Sequence, residues 1–319
     1  IGGSSAGAAL ASGDGSWDNT FIGKDSGKLN SGGDYNTAVG AGAFDANTTG
    51  GYNTAVGRES LGANTVGMYN IAVGVNVLDA NTTGSNNTSV GTYSLGANTT
   101  ANDNTAVGYK ALTANTTGSN NVGLGNSALA ANTTGAQNTA MGSHALATST
   151  TTDNNTAFGY YAAFATTGTA NAAFGRSCML NNTTGANNVA VGDATLAQNT
   201  TGGNNTAVGK SALGAHTTTN DNTAVGYFSM RYNTTGAQNT AIGKGSLQSN
   251  TTASYNTAVG DQALLDNTTG AECVAVGHAA LFENTTASYN TAVGNSALRD
   301  NTTGEKNTAV GQVALENNT

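Results

Sequence analysis

The sequence has no proline, little charge, few aromatic residues and almost no cysteine. Charged residues make up 9% of its 319 residues and aromatic residues 6%, whereas soluble domains carry about 25% charged residues and about 5% proline. Ten basic residues stand against eighteen acidic ones, which gives a net charge of −8. A chain with so few, scattered cations has no electrostatic footprint for a phosphate backbone. We therefore expect no nucleic-acid partner.

Long hydrophobic runs are also missing. Hydrophobic residues amount to 37% and many of them are alanine, which is too little large apolar side chain for one thick core. No apolar run reaches the roughly 18 residues of a membrane-spanning helix, so no membrane span is expected. Cys178 and Cys273 are too few for a disulfide framework.

What the chain has instead is a tandem repeat. The pentad Asn-Thr-Ala-Val-Gly recurs eighteen times between Asn19 and Asn307, at intervals of 17 residues except for one 16-residue unit at 155–170. Numbered from its first Asn, the consensus is N-T-A-V-G-x-x-A-L-x-x-N-T-T-G-x-x. We assign a divergent first repeat to residues 1–18 and a continuous array to residues 19–319.

The repeat predicts an all-β fold, a parallel β-solenoid of the β-roll or β-helix type with one 17-residue repeat per coil and about 18 coils. Thr-Ala-Val alternates with period two, and no helical 3.6-residue period crosses the unit. Coils that stack about 4.8 Å apart would make a rod of roughly 85 Å. The lack of proline agrees with this fold, because every coil needs its backbone N–H groups for the ladder.

Three positions of the repeat are expected to form structural ladders. Asn at position 1 predicts an amide ladder between coils, Gly at position 5 allows a bend that a Cβ would obstruct, and Val at position 4 forms an apolar rank. The representative residues are Asn36, Asn53 and Asn104, Gly40, Gly57 and Gly108, and Val39, Val56 and Val107.

The two faces of the strand suggest how copies of the chain assemble. We expect Thr and Val at positions 2 and 4 to fill the coil interior against Leu at position 9. Asn, Ala and Gly at positions 1, 3 and 5 would then form a flat outer face that packs laterally against identical chains, with a homotrimer as the expected closed symmetry. End-to-end stacking into a filament is expected as well, because no capping unit is seen at either end of the array.

The Asn-Thr-Thr triplet at position 12 has two interpretations. It is a turn, because Asn tolerates the left-handed region and the following Gly supplies a positive φ; it is also an N-glycan acceptor sequence. Thr hydroxyls in the same turn offer an O-linked alternative, and either modification implies a location outside the cell. The candidate glycosylation sites are Asn47, Asn81, Asn98, Asn115, Asn132, Asn182, Asn199, Asn233, Asn250, Asn267, Asn284 and Asn301.

Other chemistry finds less support in the repeat. Tyr35, Tyr52 and Tyr69 share position 17, which predicts a stacked side-chain ladder or, alternatively, an aromatic platform for sugars. The three histidines fall at three different positions of the repeat, so no metal-ligand spacing exists. A catalytic site would need a nucleophile, a base and an orienting group to replace consensus residues close together, and no such group of replacements occurs in the sequence. We expect no cofactor, no metal and no enzyme activity.

The motif Asn-Thr-Ala-Val-Gly-x-x-Ala-Leu resembles the head repeats of trimeric autotransporter adhesins. The full unit, as in residues 104–118, is similar to repeat arrays of bacterial and phage-like tail fibres and to tandem-repeat extracellular fibrils of environmental microbes, which can carry a glycan coat. The resemblance covers nearly the whole chain. It implies an extracellular, often trimeric fibre used for adhesion or shielding, and it brings no catalytic residues.

The sequence thus predicts a structural protein of the extracellular space or cell surface. It would form a glycosylated filament or fibre shaft that serves as surface coating, adhesion or matrix material. The alternative is a receptor-binding tail-fibre or adhesin head segment that recognises glycans. A binder should concentrate exposed aromatic residues in one zone, whereas the variants at positions 6 and 7 are spread along the array. The region of Tyr160, Tyr161 and Phe164, where the 16-residue unit falls, is the only candidate for a special site, and a tolerated one-residue deletion is the preferred explanation of it.

Overall fold

The computed structural model describes residues 6–7 and 17–318. In this part of the chain the only regular elements are eighteen strands of three residues each, and no helix is present. The expected all-β solenoid with a coil of about 17 residues is confirmed. The divergent repeat proposed for residues 1–18 lies outside the described residues, apart from residues 6–7, 17 and 18. The strands are β1 Thr20–Ile22, β2 Thr37–Val39, β3 Thr54–Val56, β4 Ile71–Val73, β5 Thr88–Val90, β6 Thr105–Val107, β7 Val122–Leu124, β8 Thr139–Met141, β9 Thr156–Phe158, β10 Ala172–Phe174, β11 Val189–Val191, β12 Thr206–Val208, β13 Thr223–Val225, β14 Thr240–Ile242, β15 Thr257–Val259, β16 Val274–Val276, β17 Thr291–Val293 and β18 Thr308–Val310.

All eighteen strands belong to one parallel sheet. From β1 to β8, and again from β10 to β18, each strand pairs with the same three residues of the next repeat, as where Thr37 of β2 lies opposite Thr54 of β3 and Ala38 opposite Ala55. The register equals the sequence period, so equivalent side chains of successive coils lie directly above one another. Departures from the consensus in successive repeats therefore contact one another, as where Phe158 stacks on Phe174 at position 4.

The strand faces are the reverse of the sequence expectation. Ala at position 3 points into the coil and is fully buried, as at Ala38 and Ala106, whereas Thr and Val at positions 2 and 4 point outward and are half-buried or exposed. Gly123, which occupies position 3 of its coil, shows what lies inside: a Cβ there would be 3.3 Å from Leu112 Cγ. The expectation that Thr and Val fill the interior, and that the Asn-Ala-Gly face packs laterally, is wrong.

Ala rather than Thr or Val faces inward because the space between the strand and the leucine at position 9 is narrow. Leu at position 9 is fully buried, as at Leu61 and Leu112, and it leaves room for only a methyl group opposite. The first complete coil exchanges the two sizes. Phe21 stands at position 3 and Gly27 at position 9, where a Cβ would lie 2.5 Å from Phe21 Cδ1. The summed side-chain volume across the interior is thus kept roughly constant, as close packing requires.

The corners of the coil use left-handed backbone at non-glycine residues. Positions 7, 9 and 17 have positive φ in nearly every coil, for example Lys110 at 57°, Leu112 at 51° and Asp103 at 59°. Such a conformation costs about 1 kcal/mol for a residue with a Cβ. Position 5 is more demanding. Gly108 has φ 135°, and a Cβ there would lie 2.5 Å from the carbonyl oxygen of Gly125 in the next coil.

Contacts divide the chain into two compact units between Thr156 and Ala157. The first unit contains β1 to β8 with the start of β9, and the second contains β10 to β18 with the remainder of β9. In each unit the backbone ladder has the same spacing from coil to coil: the N–H of Thr54 donates to Asn70 O at 2.8 Å in the first unit, and that of Val189 donates to Asn205 O at 2.8 Å in the second.

Candidate functional site

Asparagine at position 1 forms a buried amide ladder between coils. Asn53 is almost fully buried; its backbone N–H donates to Asn36 Oδ1 at 2.9 Å and its Nδ2 donates to the same oxygen at 3.2 Å. Nδ2 also donates to Gly67 O at 2.9 Å. Asn104 makes the same bonds, to Asn87 Oδ1 and to Gly118 O. Asn53 Oδ1 in turn accepts from the backbone N–H and Nδ2 of Asn70, so this amide joins three successive coils.

Asparagine at position 12, the candidate N-glycan acceptor, forms a second internal ladder. Nδ2 of Asn47 donates to Asn30 Oδ1 at 2.6 Å and to Gly50 O at 3.0 Å. All twelve candidate residues are fully buried. In the folded coil a sugar has no access to these nitrogens, and an N-linked sugar attached before the coil closes would displace such bonds. N-glycosylation stays an untested prediction.

The two threonines that follow differ in accessibility. Thr at position 13 bonds to the next coil, as where Thr48 Oγ1 donates to Thr65 O at 3.0 Å. Thr at position 14, such as Thr49, Thr83 and Thr117, is exposed. Gly32 and Val66 occupy this position in two of the first three repeats, whereas most of the other repeats present an exposed hydroxyl there.

The outward side chains of positions 2 and 4 form what we call the outer strand face. No charged residue stands at either position in any of the eighteen copies. Val39 is half-buried, while Val56 and Val107 are 36% and 39% exposed. Ile71 and Val189 replace Thr at position 2 and are similarly exposed. A neutral, β-branched and partly apolar face of this regularity is suited to packing against another flat surface.

The three tyrosines that occupy position 17 in successive repeats stack on one another. The ring centroids of Tyr35 and Tyr52 are 4.8 Å apart with an interplanar angle of 18°, and those of Tyr52 and Tyr69 are 5.0 Å apart with an angle of 12°. Both faces of Tyr52 are covered by the neighbouring rings, whereas Tyr35 and Tyr69 each stack on one ring only. The rings thus form the expected side-chain ladder, and a sugar platform stays an untested prediction.

The most distinctive surface lies on the repeat that begins at Asn222. Tyr227, Phe228, Arg231 and Tyr232 project together, and we call them the aromatic shelf. The rings of Tyr227 and Phe228 stack with centroids 3.8 Å apart. The Arg231 guanidinium carbon lies 4.1 Å from the Phe228 centroid and 5.1 Å from that of Tyr232. Two rings thus hold one cation in place.

Beside the shelf the two preceding repeats carry small side chains. Ala194, Ala197, Ser211 and Gly214 occupy positions 7 and 10, at which the shelf has Phe228 and Arg231. The change in size leaves a surface groove of about 290 Å³, lined by these small residues together with Arg231, Tyr232 and Gln198. Its size is at the lower end of the range for small-ligand pockets.

Sequence reasoning missed this groove. Positions 6 and 7 vary along the whole array, so taken one at a time they do not distinguish the Asn222 repeat from the region of Tyr160, Tyr161 and Phe164. Those three rings do contact one another, with centroids 4.5 and 5.0 Å apart. The available signal was at positions 7, 10 and 11 taken together, because all three are large in the Asn222 repeat and small in the Asn205 repeat.

The histidines and cysteines do not form a reactive centre. His144, His216 and His278 are dispersed over the array, and no group of three or more metal-ligating residues occurs in the described ranges. Cys178 and Cys273 are both buried and unpaired with one another. Burial raises the pKa of the Cys178 thiol to about 12 and also raises that of Cys273. A thiol with such a pKa is a poor nucleophile at neutral pH.

Comparison with protein-family models and with curated proteins found no match to this chain. Among the described residues there is no helix with the length and apolar character to cross a membrane.

Proposed function

We propose that this chain is a structural protein that forms an extracellular filament or fibre shaft. The observation that carries the proposal is the hydrogen-bond network that repeats from coil to coil. In the Asn104 coil, for example, the backbone N–H of Thr105 donates to Asn121 O, and the Asn104 side chain bonds to the coils on both sides. A chain built of such coils resists bending and local opening because each coil is held by its neighbours.

Lateral association of copies is the second part of the proposal, and we place it on the outer strand face. A three-residue strand is about 10 Å wide and coils repeat every 4.8 Å or so, which gives about 50 Å² per coil. Eighteen coils together offer roughly 860 Å² per chain. In a homotrimer two neighbours share this face, so each pairwise contact takes about 430 Å² from either chain, at the low end of protein interfaces. The lack of charge at positions 2 and 4 supports a second and third copy of the same chain, in a homotrimer, as the occupants.

Surface decoration is the third part. The exposed hydroxyls at position 14 repeat about every 4.8 Å along each unit, so a group attached there would form a dense coat, in keeping with a coating, adhesive or matrix role outside the cell. We favour O-linkage at Thr49, Thr83 and Thr117 over N-linkage, since the asparagines at position 12 are fully buried.

Charge placed on the outer strand face tests the lateral contact. Val107→Lys together with Val293→Lys should leave the coils folded, because both side chains point outward, but should prevent association by burying unpaired cations. Tyr109→Lys together with Asn295→Lys is the matched control, since it adds two lysines at the exposed position 6 of the same two coils. Sedimentation velocity and electron microscopy would read out the result. Equal association of both variants and the wild type would overturn the assignment of this face.

Recognition of a glycan is the second candidate function. The aromatic shelf favours it, because this is a concentrated group of exposed rings of the kind that a binding segment should have. A shaft with one recognition site per chain would combine both functions, and repetition in an assembled fibre would add up individually weak contacts.

A further inference from the structure

Arg231 differs from the three other arginines in its surroundings. Arg58 lies 3.0 Å from Glu59, Arg176 lies 2.9 Å from Asp193, and Arg299 lies 3.8 Å from both Asp300 and Glu316. In the described part of the chain no carboxylate lies within ion-pair distance of Arg231. Its guanidinium rests on Phe228 and Tyr232 instead. The guanidinium N–H groups of Arg231 are held in one orientation by the two rings and can donate hydrogen bonds to a ligand.

The groove supplies a place for that acceptor. Ala197, Ser211 and Gly214 form a shallow wall next to Arg231, and Tyr232, which is 44% exposed, gives the groove an aromatic side. An exposed aromatic face packs against the C–H groups of a sugar ring, since the face is negative and the C–H hydrogens carry positive partial charge. The opening of about 290 Å³ admits one or two sugar rings.

The charge near Arg231 is balanced, in contrast to the acidic chain as a whole. From Asp193 to Asp261, Lys210, Arg231 and Lys244 stand against Asp193, Asp221 and Asp261, a balance of 3 − 3 = 0, whereas the whole chain carries −8. Of these acids, Asp193 is already paired with Arg176. Both lysines are exposed and stand at position 6 of the coils next to the shelf. An anionic ligand is therefore favoured here over a neutral or cationic one.

We propose that the groove beside the aromatic shelf binds an acidic saccharide, with the carboxylate of a uronic acid on Arg231 and the sugar ring on Tyr232. The guanidinium fork matches a carboxylate in two parallel hydrogen bonds. Ser211 and Gln198 line the same groove, and a hydroxyl and a side-chain amide are groups that can bond sugar hydroxyls. The site does not depend on filament formation, because all of its residues lie in three successive coils of one chain.

The test is a titration of the dispersed chain with a galacturonic acid hexamer, followed by NMR through the Nε–Hε resonances of the four arginines. Arg231 should shift with a dissociation constant of the order of 0.1 to 1 mM, the strength of a small, exposed site. The resonances of Arg58, Arg176 and Arg299 should not shift and serve as internal references. The methyl-esterified hexamer should bind at least about 10-fold more weakly, since it lacks the charge-assisted bonds.

Substitutions separate the contributions. Arg231→Gln should weaken binding by at least about 10-fold, whereas Arg299→Gln, at the same position of its repeat, should leave it unchanged. Tyr232→Ala should weaken binding several-fold through loss of the ring contact. Circular dichroism should show all three variants folded, since these side chains lie on the surface.

Three results would overturn the proposal. One is equal binding of the acid hexamer and its methyl ester, and another is unchanged binding by Arg231→Gln. The third is a shift of Arg231 by sodium acetate as large as that by monomeric galacturonate at the same concentration, which would make this a simple anion contact without a sugar site. None of these results bears on the filament, whose test is the association of the outer-face variants.

Discussion

Removal of one amide from the position-1 ladder should lower the free energy of local opening by a measurable amount. Asn121 is fully buried; its Nδ2 donates to Gly135 O at 2.8 Å, and its Oδ1 accepts the backbone N–H of Asn138 at 2.9 Å. Asn121→Ala leaves that N–H buried without its acceptor, at a cost of about 1 to 3 kcal/mol, and removes further bonds worth about 1 kcal/mol each. We expect a loss of about 3 kcal/mol in the local opening free energy.

Native-state hydrogen exchange by mass spectrometry measures this opening. A loss of about 3 kcal/mol corresponds to an exchange rate roughly 100-fold faster. The faster exchange should be confined to the coils that begin at Asn104, Asn121 and Asn138, because coupling in repeat structures runs between neighbours. Asn126→Ala is the control, since Asn126 is exposed on the same coil. Indistinguishable exchange of the two variants would refute the view that the amide ladder joins the coils.

Three other predictions concern the interior. His216 is fully buried at position 12; its Nε2 lies 2.7 Å from Thr219 O, and Asn233 Nδ2 lies 3.4 Å from its Nδ1. Because burial lowers the pKa of His216, its contribution to stability is complete above about pH 6.5, where the unfolded side chain is neutral as well. Protection of this coil from hydrogen exchange should therefore fall as the pH drops below that value, but not in His216→Asn. Phe21→Ala should destabilise the first coil by leaving a hollow opposite Gly27, and the double variant with Gly27→Leu should restore the consensus packing and much of the protection, whereas Gly27→Leu alone should not fold this coil. Cys178 should resist iodoacetamide at pH 8 in the folded chain and react once it is unfolded in guanidinium chloride; rapid alkylation of the folded chain would contradict its burial.

The period of the repeat was enough to predict the fold, because one invariant Gly and one nearly invariant Asn per 17 residues leave little besides stacked coils. The direction of the strand faces could not be predicted in the same way. Thr and Val suit a packed interior and an outer face of a sheet equally well. The space beside Leu112 decides which face points inward, because it admits only a small side chain at position 3. The sequence indicates this limit at one place, where a large Phe21 at position 3 is accompanied by Gly27 at position 9.

Two further features could not be predicted from the sequence: the left-handed backbone at the corners and the groove next to Arg231. Leu112 adopts φ 51° in a coil where propensity offers no reason for a left-handed leucine. The corner is enforced by burial of that side chain and by the neighbouring coils. Likewise, the groove next to Arg231 depends on residues from three coils at positions 7, 10 and 11, whose adjacency becomes visible only when the coils are stacked.

Mass per unit length of the native filaments, measured by scanning transmission electron microscopy, tests the central claim most directly. One coil of 17 residues per 4.8 Å or so corresponds to about 350 Da per Å for a single bare chain. A laterally packed trimer with an O-linked coat should exceed about 1,050 Da per Å and should fall to that value after chemical deglycosylation. A value that stays near 350 Da per Å before and after deglycosylation would contradict both lateral packing on the outer strand face and a sugar coat.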